Sequence, residues 1–574
     1  MFKDLVDIKT LFDIEITEKT VLHLTDTKYD FSDKEIGISI PLVIKSTVNS
    51  VFTCKKLIIL SSNFAISGVK FNGSIIIEKQ NNIKISNCSI NQVDRGNTSA
   101  IIINHGENII LDNLTISNLN IPAILADSQS TLLIKYCQIF NISDSLIYIT
   151  NSSRAVIDHC ELHNSQRNGV SISYNSDVTI SNTEIYHCHI SAIECISSIL
   201  TVSDSNLHDI ALNCINLSHC KSTTFLRNKF KEVGASSISV SFRSKSEIRE
   251  NTFENINGNG IFVSEESNAL IINNKLSLIR HPAIAVLQSC TVLINGNDIS
   301  KTRRHGICIR GAKEAIAENN KIDDIVDCAF SVSDSYNCKL LKNSIKNCKI
   351  AAIESYNMSN VTFTSNHVSN CGKFGIMVYS RGEVTVNFNL FENISEAFVY
   401  MSTCSNGHFT NNEVKKCQSL LIDKTAGNFL FKDNGSFENI SNIENCSESD
   451  VKKVSKFIDP LFGKCLKCGA APREGFNVPC GHRIFCEDCG KKAVEANEVC
   501  PLCRFNLDAF TAGFSSSEGS LCSICLEKKA DTVVLPCGHT GFCADCMNEW
   551  FHENCSCPLC RTDPAIFKKI IPDY

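Results

Sequence analysis

Apolar residues return at a fixed interval along most of this chain, separated by short polar turns. A position closing an Asn-x-Ile-like phrase appears at Ile116, Ile139, Leu162, Ile185, Leu207, Phe230, Phe253, Leu276, Ile299, Ile322, Ile345, Val368, Phe391, Val414 and Phe437. Of the fourteen steps between these fifteen positions, thirteen are 23 residues and one is 22, and Ile90 is an earlier member, 26 residues before Ile116. A second column runs Val170, Ile193, Ile215, Ile238, Ile261, Ile284, Ile307, Phe330, Ile353, Ile376 and Val399. Small residues such as Gly169, Ala192, Gly260, Ala283, Gly306, Ala352 and Gly375 precede it. Self-similarity at this period marks a repeat architecture and takes precedence over any local assignment.

Within a unit, residues 178–180 and 260–263 alternate as half-buried strands do, and no unit holds a long run of helical pattern. Short strands between Asn, Asp, Ser and Gly turns predict a parallel β-helix, each repeat one coil. Coils stack about 4.8 Å apart, so fourteen steps make a rod of roughly 67 Å. Asn228, Asn251, Asn274, Asn297, Asn320, Asn343, Asn366, Asn389 and Asn412 follow one another at 23-residue intervals. Stacked amides can each donate to one neighbour and accept from the other, so this column is expected to be a structural ladder. The same step sets Arg304 beside Asp327 and Lys301 beside Asp324, in a charged patch with Arg280, His281, Arg303, His305 and Asp323. Such a patch is read as a solvated turn with weak ion pairs, with a docking site as the alternative.

The regular coils are placed at 81–442, with 1–80 as an N-terminal cap plus irregular early coils. A short helix over 447–458, within a segment 443–464, is expected to cap the far end or serve as a linker. A hydrophobic content of 43% supports folded structure, while a net charge of -6 argues against a nucleic-acid binder. The N-terminus carries charges where a signal peptide needs an apolar run, and no apolar stretch is long enough to span a bilayer. Seventeen scattered cysteines precede residue 460 without a paired framework, so they read as reduced thiols, many of them small core residues. The expected compartment is therefore cytoplasm or nucleus, not the secretory route, and the Asn-x-Ser/Thr triplets are read as chance.

The chemistry lies in the C-terminal fifth. One spacing occurs twice: Cys465-x2-Cys468-x11-Cys480-x-His482-x3-Cys486-x2-Cys489-x10-Cys500-x2-Cys503, then Cys522-x2-Cys525-x11-Cys537-x-His539-x3-Cys543-x2-Cys546-x10-Cys557-x2-Cys560. Zinc takes four ligands in a tetrahedron and a Cys-x2-Cys knuckle offers two thiolates. Eight ligands per copy imply two zinc ions per copy, four in all. Cys555 is a bystander, because residues 557–560 match 500–503. The first module spans 465–504, a linker 505–521, the second module 522–562 and an apolar tail 563–574.

Both copies resemble RING fingers of the C3HC4 type. With the repeats, the resemblance implies a mainly β chain: a right-handed parallel β-helix with a 23-residue coil, followed by two small zinc-bound α+β RING modules. It implies cross-bracing, with Cys465, Cys468, Cys486 and Cys489 on one ion and Cys480, His482, Cys500 and Cys503 on the other. The second module follows suit, with Cys522, Cys525, Cys543 and Cys546 on one ion and Cys537, His539, Cys557 and Cys560 on the other. RING fingers bind a ubiquitin-charged conjugating enzyme and orient its thioester, without a covalent intermediate of their own. Carried over residue by residue, Ile524, Trp550, Pro558 and Arg561 are the conjugating-enzyme contacts. In the first module Lys467 and Ala493 stand in place of Ile524 and Trp550, while Pro501 and Arg504 remain, so the second module is expected to be the active one. The tail is similar to strands that pair in RING homodimers.

These features predict an E3 ubiquitin-protein ligase whose β-helix binds a protein substrate; β-helix repeats also occur in an F-box ligase subunit. The alternatives are a non-enzymatic zinc-finger scaffold and a carbohydrate-binding or carbohydrate-active β-helix protein. Against the latter, the column Ser171, Glu194, Asn216, Ser239, Phe262, Ala285, Cys308 holds no carboxylate pair on adjacent coils.

Overall fold

The computed structural model describes residues 5–12, 20–92, 98–417, 420–422 and 425–434. In the C-terminal region it describes 465, 467–468, 475–478, 485–496, 498, 509–512, 522, 524–525, 528, 532–535, 539–553, 558 and 566–569. The chain divides into two compact units, Met1–Glu444 and Asn445–Tyr574.

The first unit is a parallel β-helix with three strands per coil. Thr252–Ile256, Ile261–Val263 and Asn268–Ile272 form one coil. They pair in parallel with Lys275–Ile279, Ile284–Leu287 and Thr291–Asn295 of the next, through Phe253↔Leu276, Ile261↔Ile284 and Ile271↔Ile294. The shorter step in the first column is Ile185↔Leu207. The repeated apolar positions point inward: from Ile116 to Phe391 every member of the first column is fully buried. Like side chains stack along the axis, as Phe230 does on Phe253 with ring centroids 4.8 Å apart. Each such side chain contributes roughly 1.5–3 kcal/mol by leaving water.

The asparagine column is a continuous buried ladder. Nδ2 of Asn228, Asn251, Asn274 and Asn297 each donates to Oδ1 of the next Asn at 3.0 Å. The series runs on to Asn412, which donates to Asn434 at 2.7 Å, a tenth member one residue short of the regular step. Each Oδ1 also accepts the backbone N–H of the preceding Asn, as Asn297 does from Asn274 at 2.9 Å. Each Nδ2 also reaches a backbone carbonyl of the coil before, as Asn297 does to Ile271 at 2.9 Å. Upstream the same column continues with shorter side chains: Asn228 accepts from Ser205 N–H, Ser205 Oγ from Thr183 N–H, and Thr183 Oγ1 from Cys160 N–H. The residue before each rung, for example Asn273 or Asn319, has φ near +55°, which turns the chain inward. At one of these positions stands Gly296, for which a left-handed φ carries no Cβ penalty.

Before residue 90 the coils are less regular, with a 30-residue step at Leu5↔Glu35, a 22-residue step at Thr20↔Leu42 and a 19-residue step at Ala65↔Lys84. Two of the three faces fuse there into the long strands Lys28–Ile38, Val51–Ile59 and Lys70–Glu78. A short helix, Ile8–Phe12, closes the first coil: Ile8 is fully buried, and Phe12 lies 5.8 Å from Tyr29 and 6.0 Å from Phe31. At the other end, Phe437 and the expected helix over 447–458 fall outside the described residues. Arg304 pairs with Asp327 at 3.8 Å. Among the described residues no ion pair joins Lys301 to Asp324; both sit at left-handed turn positions with φ 55°. The β-helix cysteines are free thiols, nearly all buried.

In the second unit each module holds a helix and a small antiparallel sheet. In the first, Gly475–Val478 pairs with Ala509–Ala512, and the helix is Glu487–Glu495. Residues 509–512, expected as linker, thus form a strand of that module's sheet. In the second, Thr532–Leu535 is the central strand between His539–Phe542 and Ile566–Lys569, and the helix is Ala544–Glu553. Ile566–Lys569 of the apolar tail therefore fold back on their own module.

The ladder yields a stability prediction. Asn297→Ala removes the acceptor shared by the side-chain amide and backbone N–H of Asn274, and a donor to the carbonyl of Ile271, inside the rod. It should lower β-helix stability by about 2–4 kcal/mol in denaturant titrations followed by far-UV circular dichroism. Asn360→Ala, on the exposed face, should stay within about 0.5 kcal/mol.

Candidate functional site

The folding of each module brings the first and third cysteine pairs together. In the first, one ligand atom from each of Cys465, Cys468, Cys486 and Cys489 lies within 4.8 Å of the others, and Sγ of Cys468 and Cys486 are 3.9 Å apart. In the second, Cys522, Cys525, Cys543 and Cys546 meet the same limit, with Cys525 and Cys543 also 3.9 Å apart. The helix explains why the third pair is shaped as it is. Cys486 is extended, φ -72° and ψ 166°, and caps the helix start, while Cys489 lies on its first turn. The Cys486 carbonyl accepts Gly490 N–H at 2.9 Å, and the Cys543 carbonyl accepts Met547 N–H at 3.1 Å. The positive end of a helix and its free N–H groups favour thiolates at this place.

Backbone donors also surround the first cysteine of each cluster. Burial pushes the Cys522 thiol up, but the N–H groups of Cys525, Cys543 and Ile524 outweigh it and bring it down to about 6. Cys465 is lowered against its own burial by the backbone of Cys468, Cys486 and Lys467. Four convergent thiols, one of them readily ionised, are the donor set that tetrahedral zinc takes, and the residues fit the ion. Cys480, His482, Cys500, Cys503, Cys537, Cys557 and Cys560 lie outside the described residues. His539 is placed on the strand His539–Phe542.

The two modules differ on the surface beside the cluster. Ile524, between the first two ligands of the second module, is 46% exposed. Trp550 is half-buried, resting partly on the small core of Cys522, Val534, Phe542, Cys543 and Met547. Pro558 is half-buried, and Arg561 lies outside the described residues. In the first module Lys467 occupies the corresponding knuckle position and pairs with Glu498 at 2.6 Å, while Ala493 is fully buried. The apolar knob is thus replaced by an ion pair, and the aromatic by a methyl group inside the module.

A family of right-handed beta helix regions matches residues 122–275, 236–391 and 351–455, together more than half of the chain. The chain belongs to the right-handed beta helix family. This β-helix protein also carries two zinc fingers of the C3HC4 type (RING finger), at residues 462–510 and 518–565. Its curated relatives match the zinc-finger region over short stretches. It is 47% identical over 57 residues to "Apoptosis inhibitor 1" of Orgyia pseudotsugata multicapsid polyhedrosis virus, covering 10% of this chain and 20% of that one. It is 38% identical over 58 residues to "Putative E3 ubiquitin-protein ligase XBAT35" of Arabidopsis thaliana, covering 10% and 13%. It is 40% identical over 45 residues to "E3 ubiquitin-protein ligase NEURL3" of Rattus norvegicus, covering 8% and 18%. The β-helix protein thus spans a fifth or less of the length of these relatives. Among solved structures it is similar to the periplasmic alginate epimerase AlgG, at 12% identity and a TM-score of 0.23, covering 74% of this chain and 82% of that one.

One further cluster is not evident from the sequence. His305, Cys328 and Glu354 of the β-helix also bring ligand atoms within 4.8 Å of one another. The regular step from His305 to Cys328 is a usable signal, but Glu354 stands three residues beyond that column.

Metal dependence of the second module is testable at one residue. Cys543→Ser should lower bound zinc, read by elemental analysis of the purified chain, and abolish the module's protease resistance. The β-helix melting temperature should not move.

Proposed function

We propose that this protein is a RING-type E3 ubiquitin-protein ligase, in which the second module recruits the ubiquitin-charged conjugating enzyme and the β-helix binds the protein substrate. The observation that carries the reading is the exposed Ile524, set between two ligands of a formed four-cysteine cluster. Zinc at the two four-cysteine clusters, and at Cys480, His482, Cys500 and Cys503 and their counterparts Cys537, His539, Cys557 and Cys560, supplies the cross-links that fold the modules. Ile524, Trp550 and Pro558 then offer an apolar contact for the conjugating enzyme, and Arg561 follows the last ligand to engage enzyme and ubiquitin together. The contribution is orientation: holding the thioester in a productive pose lowers the barrier without any nucleophile on this chain. The names of the relatives XBAT35 and NEURL3 support the same reaction class.

The β-helix supplies long columns of outward side chains on a rigid axis, the kind of extended surface on which repeat proteins bind other proteins. A cytoplasmic or nuclear site of action suits its free thiols; Cys195 and Cys220 hold their sulfurs 3.4 Å apart without a bond. A RING-mediated homodimer is part of the same proposal, since Ile566–Lys569 is an edge strand onto which a second copy can add.

Autoubiquitination of the purified full chain, with a panel of conjugating enzymes, tests the reading. Ile524→Ala should slow it about tenfold or more, the loss of roughly 1.4 kcal/mol of contact energy. Lys467→Ala should leave it unchanged. Activity indifferent to Ile524, or absent with every conjugating enzyme while both modules hold zinc, would leave a scaffold in its place.

A further inference from the structure

The third convergent cluster lies on the flank of the β-helix, far in sequence from the RING modules. His305 and Cys328 occupy the same turn on successive coils, and Cys328 N–H reaches His305 Nδ1 at 3.4 Å. Glu354 comes from the coil after Cys328, on the strand Ala351–Tyr356, in register with Ser331. Three coils therefore deliver an imidazole, a thiol and a carboxylate to one place, with their ligand atoms within 4.8 Å of one another. Cys328 is fully buried, and His305 and Glu354 are half-buried.

Several features go beyond coincidental proximity. Both carboxylate oxygens of Glu354 are held: Oε1 accepts from Tyr379 Oη–H at 2.6 Å and Oε2 from Ser331 Oγ–H at 2.8 Å. Hydrogen bonds of this kind orient a ligating carboxylate and leave each oxygen a further lone pair. Tyr379 is itself fixed by stacking on Tyr356, centroids 5.2 Å apart and planes 6° off parallel.

We propose that His305, Cys328 and Glu354 form a divalent transition-metal site on the β-helix, with zinc the ion that its mixed thiolate, imidazole and carboxylate donors suit. Zinc bonds of about 2.0–2.3 Å set tetrahedral ligand atoms roughly 3.3–3.8 Å apart, so from separations within 4.8 Å the side chains need close by at most about 1.5 Å. Three protein ligands leave the fourth position open to water or to a donor from another molecule.

The test uses the full chain, saturated with zinc and freed of excess by desalting. Elemental analysis should give one more equivalent of zinc in the wild type than in His305→Ala and in Glu354→Gln. Added zinc should raise the β-helix melting temperature of the wild type but not of Glu354→Gln. Cobalt substitution adds a second readout: the wild type minus Cys328→Ser difference spectrum should show one thiolate-to-cobalt charge-transfer band. Equal zinc content in the wild type and both first variants overturns the proposal, as does a loss confined to Cys328→Ser accompanied by a lowered melting temperature. Zinc lost from Cys465→Ser or Cys522→Ser reports on the RING modules alone, so failure there is separable from failure here.

Discussion

The coil-to-coil hydrogen bond is the constraint from which the rest of the β-helix follows. Parallel coils about 4.8 Å apart satisfy their backbone only in the neighbouring coil, so every coil must have nearly the same length. That demand is what the 23-residue interval expresses, and it holds through Phe253↔Leu276 and its equivalents along the stack. A polar side chain can stand inside such a stack only if it repeats the backbone's own logic. Asparagine does so, because one amide both donates and accepts. Its Oδ1 also takes the N–H of the preceding rung, and its Nδ2 donates to a carbonyl of the coil before. Ser205, Thr183 and Cys137 upstream accept one N–H each, a thinner version of the same device.

The left-handed turn beside the ladder has a similar origin. Residues as unlike as Asn273, Arg227, Lys342 and Phe388 all adopt φ near +55° at the same place in the coil. That conformation costs a non-glycine residue free energy in isolation. Here the bonds of the adjoining rung fix the chain on either side, so the turn is imposed by the stack and tolerates almost any side chain.

The interval, the ladder and the paired ligand spacings are legible in the sequence because each is a repetition. What escapes it is of two kinds. Some features depend on which residues a coil brings together across unequal offsets: Glu354 meets Cys328 across a 26-residue separation, outside the regular column. Others depend on a strand whose partner is not its sequence neighbour. Ala509–Ala512 pairs back to Gly475–Val478, and Ile566–Lys569 to Thr532–Leu535, in segments too short and irregular for periodicity to mark. The early coils look irregular in sequence for a physical reason, since two faces fuse into the long strands Lys28–Ile38, Val51–Ile59 and Lys70–Glu78 and the interval varies from coil to coil.

The two RING modules separate what folds a site from what makes it selective. Their ligand spacings are the same, both place the third cysteine pair at a helix start, and both gather four sulfurs within the same limit. Among the described residues the buried core of the second module is small, Cys522, Val534, Phe542, Cys543 and Met547, so metal at the four-cysteine clusters would supply much of what holds the shared framework. Under the proposed function, selectivity lies in side chains that such a metal does not need. An exposed isoleucine at 524 presents area for a partner to desolvate, whereas Lys467 is already engaged with Glu498 and would have to be unpaired and stripped of water. Two modules of one framework therefore present an incoming partner with very different surfaces, and under the proposed function that difference decides which of them engages a conjugating enzyme.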